Sequence, residues 1–188
     1  MLLIAILVGL ESIAVTTGND MHYIYQAGLQ RARSQIFAKS AYALRYHTDG
    51  ERAQAINDFQ VMLPPFQQEQ AVLSANSAPD VQNTVQIMRP DYLALITAVQ
   101  AILAHPSTAN SIEIEIILSH ERGYLLNSNS LLILLQQHSD DRILQLFYIK
   151  VFVEMLLEIL IILSIFTTKR VAKLVPQILK VVDQNKAK

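Results

Sequence analysis

Placed on a helix, Ala27, Arg31, Ser34, Ala38, Ala41 and Arg45 recur at alternating four- and three-residue spacing and share one stripe. The stripe is small and polar, and the residues around Arg31 are too short to cover its guanidinium. Such a stripe predicts a tight helix–helix seam, with Ala27, Ala38 and Ala41 letting the backbones approach. A guanidinium held there needs a partner, because an unpaired buried charge is very expensive. That partner is either a carboxylate from another helix or an anion from outside. The plainer alternative makes Arg31, Arg33 and Lys39 a solvated helix face, with Leu29, Ile36, Phe37 and Leu44 supplying the apolar one.

Other chemistry is thinly represented. His22, His47, His105, His120 and His138 form no HxxxH or HExxH pair, so they read as surface or capping residues and no metal site is expected. The stretch "SHERGYLLNSNS" (Ser119 to Ser130) gathers His120, Glu121, Arg122, Asn127 and Asn129, either as a polar site or as a hydrogen-bonded interhelical layer. Asp140, Asp141 and Arg142 read as a solvated helix face. Cysteine is absent, which excludes disulfides, thiolate metal sites and cysteine nucleophiles. No nucleophile elbow and no Gly-rich phosphate loop appear, so neither an enzyme nor a cofactor is expected. A net charge of −1 gives no argument for nucleic acid.

The elements that position the stripe follow from hydrophobic patterning along the 188 residues. "MLLIAILVGLESIAVTT" opens the chain, and "VFVEMLLEILIILSIFTT" (Val151 to Thr168) comes near its end. Each is close to the minimum length for a bilayer span. The first reads as an uncleaved anchor, with a signal peptide as the rival. In the second, Lys150, Glu154 and Glu158 make a charged stripe, for which a soluble bundle helix is the rival reading. The tail after Thr168 holds six of the fifteen Lys and Arg residues, a positive-inside signature.

Between the spans the pattern is helical. One helix is expected over 21–47, broken by "TDGE" at Thr48 to Glu51. A second carries Ala55, Ile56, Phe59, Met62 and Leu63, with Pro64 and Pro65 expected to kink or interrupt it. A third covers about 80–104, capped by Ser77 or Asp80 and broken at Arg89-Pro90. A fourth runs from about Ile112 into the second span. The expected fold is all-α: an up-down-up-down four-helix bundle flanked by two transmembrane helices. The expected divisions are 1–17, first span; 18–146, exterior bundle; 147–168, second span; and 169–188, basic cytoplasmic tail.

The stretch "AGLQRARSQIFAK" resembles the signature of the PilJ-type sensor domain. That domain occurs in type IV pili methyl-accepting chemotaxis transducers and is related to the sensor domains of nitrate/nitrite kinases. Ala27, Gly28, Gln30, Arg31, Ser34, Gln35, Ala38 and Lys39 match it as they stand. The setting, the first exterior helix after an N-terminal span, matches too. Leu29 and Ile36 depart from it where arginines are usual, and Arg33 where an apolar residue is.

The resemblance implies a homodimer in which two copies of this helix meet, with Arg31 reaching a small oxyanion from each subunit. Gln30, Ser34 and Gln35 would line the ligand beside it. A planar oxyanion suits the bidentate guanidinium and would neutralise two facing cations. The tail "KRVAKLVPQILKVV" resembles the opening of a HAMP-type linker, so the output would lie in a separate signalling protein or a missing domain. The expectation is therefore a receptor in a bacterial inner membrane, contacting lipid through its spans, with its bundle periplasmic and its C-terminus cytoplasmic. The alternative function is a non-sensing membrane scaffold built on the same bundle.

Overall fold

The computed structural model describes the backbone of residues 2–46, 48–106 and 111–186, and within these the side chains from 19 to 176. The chain is four helices: α1 (Leu2–Tyr46), α2 (Asp49–Ser74), α3 (Pro79–Ala104) and α4 (Ser111–Lys186). It divides into two units, Met1–Arg142 and Ile143–Lys188.

The first unit is the bundle. Its directions can be read from side-chain pairs whose residue numbers rise on one helix as they fall on the next. Gln30 meets Gln70 and Ser40 meets Asp58, so α1 and α2 are antiparallel. Phe66 stacks on Tyr92 between α2 and α3. Asp91 meets His120 and Asp80 meets His138 between α3 and α4. Arg45 meets Glu115 and Asp20 meets Arg142, which closes the ring between α1 and α4. This is the expected up-down-up-down bundle, held by one core. Phe37, Phe59, Phe66 and Tyr124 are fully buried at its centre, with Phe66 against Phe37, Tyr92 and Tyr124. The expected core positions Phe37, Leu44, Ala55, Phe59 and Leu63 are all buried, whereas Leu29, Ile36, Ile56 and Met62 are only half-buried.

The first turn falls where "TDGE" places it. Glu51 reaches back to accept from the Thr48 backbone N–H at 3.4 Å and from its hydroxyl at 3.2 Å, ending α1 and starting α2. Among the described residues no proline interrupts its helix, so the break expected at Arg89-Pro90 is absent. α2 runs through Pro64 and Pro65, and α3 through Pro90. Each proline removes one backbone donor, but Pro64 and Pro90 face solvent, and the buried Leu63, Phe66 and Met88 beside them keep both helices docked. The cap of α3 is also corrected. Ala78 occupies it, with Pro79 in the first turn; Asp80 accepts from the Val81 N–H at 2.9 Å, and the Asn76 side chain accepts from the Ala78 N–H at 2.9 Å.

Among the described residues one helix, Pro79–Ala104, is long and apolar enough to cross a membrane, where two spans were expected elsewhere. Its apolarity has an internal use, since Val81, Val85, Met88, Leu95, Val99 and Ile102 lie in the bundle core. The expected span 1–17 lies outside the residues whose side chains are described. The expected span 147–168 belongs to the second unit, where Phe152, Met155, Leu160, Ile161, Leu163 and Phe166 are all exposed. Lys150 and Glu154 of its charged stripe lie 3.8 Å apart.

Candidate functional site

The sequence-derived site residues separate once the bundle is assembled. Ala27, Ser34 and Ala41 are buried within the single chain, Ser34 and Ala41 completely. These seam positions, expected to face a second copy, are thus covered by the chain's own helices, and α1 packs against α2. Small side chains permit that packing, whichever helix supplies the opposing surface. Ala38 is half-buried, while Gln35 is exposed.

Gln30 is buried and donates through Nε2 to Gln70 Oε1 at 2.6 Å. It therefore belongs to a polar layer between α1 and α2 and is not open to a ligand. Arg33 completes that layer by pairing with Glu69, whose side chain is 4% exposed. Of the two nearby arginines, Arg33 has the carboxylate partner. The sequence carried a signal for this layer: Phe59, Leu63, Phe66, Gln70 and Leu73 share a four–three stripe, which puts a glutamine at a core position.

Arg31 is half-buried, with no partner for its guanidinium among the described residues, and its Nε lies buried without a hydrogen bond. The Ser34 hydroxyl donates to the Arg31 carbonyl at 2.8 Å, so it is engaged with the helix backbone. The Arg45–Glu115 and Asp20–Arg142 pairs fix the antiparallel register of α1 against α4. They set Arg31 level with the Asn129 and Ser130 region of α4. Only the C-terminal end of the polar stretch Ser119 to Ser130 therefore lies at the height of the arginine. Within it, Ser128 donates to the Tyr124 carbonyl at 2.8 Å, and burial pushes the Tyr124 phenol well above its usual range. Burial also raises Glu121.

The histidines are not all idle surface groups. His120 Nδ1 lies 2.8 Å from Asp91 Oδ1, and His138 Nε2 lies 2.8 Å from Asp80 Oδ2. His105 is the C-cap of α3. His22 is exposed, and His47 lies outside the described residues. Arg142, expected to be solvated, pairs at 2.9 Å with Asp20. Burial raises the Asp20 carboxyl above the usual range, with the nearby Arg142 and His138 charges opposing it. At Asp80, burial pushes upward, but the Val81 N–H and His138 outweigh it and hold the carboxyl low. Lys39 is exposed at the rim of a cavity of about 290 Å³ between α1 and α2. There Asp58 is already engaged by Gln54 at 2.7 Å and by Ser40 at 3.4 Å.

No family model matches the chain, and neither does any curated protein or solved structure.

Proposed function

We propose that this chain is a membrane-attached receptor module that binds a small anion at Arg31 and passes a helix displacement inward. The observation that carries the reading is the half-buried Arg31 guanidinium, whose Nε lacks any partner among the described residues. A cation in such a position favours an anion that can accept its N–H groups, and its planar fork suits an oxyanion. In this reading the anion lies beside α1 and α4 of one chain, level with Asn129, which the burial of Ala27 and Ala41 and the α1–α4 register support. The PilJ-type resemblance supports the same arginine.

The membrane part of the proposal is supported by Val151–Thr168, most of whose apolar side chains are exposed, as a lipid-facing helix requires. Lys169, Arg170 and Lys173 follow it, exposed, and would lie on the cytoplasmic side. A span before the bundle would put the bundle outside. Binding moves α1 against α4 only to the extent that the anion prefers one arrangement over another. A separate signalling protein would receive that movement.

The test is an anion titration of the full chain in detergent micelles, read as a melting shift. A ligand at 100 times its dissociation constant adds ~2.7 kcal/mol to the folded state. Nitrate, nitrite, sulfate or a small carboxylate should produce such a shift. Arg31→Ala should abolish it and Arg31→Lys should restore part of it, while Arg45→Ala leaves it intact. A scaffold with no ligand is the second reading, favoured by the Gln30–Gln70 and Arg33–Glu69 pairs, in which polar side chains of α1 find partners on α2 of the same chain. A flat titration at millimolar anion would select the scaffold.

A further inference from the structure

We infer that the cavity between α1 and α2 is a binding site for a small aliphatic α-amino acid, held as its zwitterion. The cavity has a volume of about 290 Å³ and is lined from those two helices, with Lys39 and Ala43 on α1 and Ala55 and Asp58 on α2. Its existence follows from side-chain size. Ser40 meets Asp58 across the antiparallel pair, and that register sets Ala43 level with Ala55. Two methyl groups at one level leave open the width that Phe37 and Phe59 fill further along the same helices.

The charges are sorted along the cavity. Lys39 and Asp58 border one end from opposite helices, and Glu51 borders the other, seven residues from Asp58 and ~10 Å away along α2. Asp58 is half-buried and held by its own chain: Gln54 donates to Oδ1 at 2.7 Å, and the buried Ser40 donates to Oδ2 at 3.4 Å. A carboxylate offers about four lone pairs, so these two bonds leave room for an ammonium. Lys39 is exposed and makes no hydrogen bond or ion pair among the described residues, although Asp58 borders the same cavity. A cation and an anion that border one cavity without pairing are complementary to a molecule that carries both charges. An α-amino acid presents its carboxylate to Lys39 and its ammonium to Asp58, each a charge-assisted contact. Glu51 sets the direction, because it repels a carboxylate at the far end. The side chain then lies over Ala43 and Ala55, where an alkyl group is the match. The inference does not rest on the anion site: Arg31 is eight residues before Lys39, ~12 Å away along α1.

Calorimetric titration of the full chain in micelles with L-valine and with isobutylamine, which is valine without its carboxylate, tests the assignment. Valine should bind at least about tenfold tighter than the amine, the worth of one charge-assisted bond. Lys39→Met should weaken valine by about tenfold or more and leave the amine unchanged. Asp58→Asn should weaken both alike. Ala43→Leu fills the cavity without altering either charge and should abolish the heat of both, so it decides the matter if Asp58→Asn does not fold. Equal affinity for valine and isobutylamine would overturn the proposal, as would unchanged valine binding in Lys39→Met or Asp58→Asn. Valine heat that survives Ala43→Leu, or no heat at millimolar valine, would overturn it equally.

Discussion

Arg33 on α1 and Glu69 on α2 form an ion pair between the two helices, the arginine side chain 19% exposed and the glutamate side chain 4%. Beside it, the Gln30 amide donates to Gln70. Together they make a polar layer that locks the two helices in register, because sliding one past the other would strand buried charges and amides.

Removing one member of that pair should be severe. Arg33→Ala leaves the Glu69 carboxylate buried and uncompensated, at a cost of ~3 kcal/mol or more. Replacing both with similarly sized apolar residues, Arg33→Met with Glu69→Leu, should recover most of the loss. Urea unfolding of the single and double variants measures the difference. Additive losses would mean the pair is not coupled.

Phe66 touches Phe37, Tyr92 and Tyr124, which come from all three other helices. Phe66→Ala should cost ~4 kcal/mol through lost burial and the cavity left behind. Phe66→Leu should cost less than half of that. Equal losses in the two variants would show that the ring contacts add more than volume.

Glycine to alanine inside a helix usually gains about 1 kcal/mol. Gly123→Ala should not, because the new methyl would meet the Asp91 carboxylate and displace it from His120. The expected result is unchanged or lower stability, together with a shift of the His120 ring signals in nuclear magnetic resonance. A full gain with an unmoved His120 would contradict the close approach.

Asp20 has a carboxyl raised in the folded state, mainly by burial. The folded state then binds this proton more tightly than the unfolded chain does. The resulting stabilisation is complete below the unfolded pKa and is lost as pH rises through the raised folded value. Across that window the stability of Asp20→Asn should improve relative to the natural chain. An opposite slope would mean that Arg142, and not burial, controls the carboxyl.

Topology has a direct readout. A reporter inserted at Gly50, in the exposed first turn of α2, should be outside the membrane, and one fused after Lys188 should be inside. Both on the same side would remove the two-span arrangement.

The sequence alone determined the number, order and approximate ends of the helices and most of their core faces. Phe37, Leu44, Phe59 and Leu63 could be read from three- and four-residue spacing, because periodicity is local and each helix must hide one stripe. Even the turn at Thr48 to Glu51 was local chemistry. The partners were not local. Whether the Ala27–Ser34–Ala41 stripe met α2, α4 or a second chain depended on how four stripes share one core, and that is settled only by tertiary packing. The same reason assigned Glu69 to Arg33 and left Arg31 without a partner, although the two arginines stand two residues apart. Adjacent helix positions point about 100° apart, so neighbours in sequence face different helices. Pro64, Pro65 and Pro90 make the same point: local rules weigh against a continuous helix there, while Leu63, Phe66 and Met88 in the core hold it together.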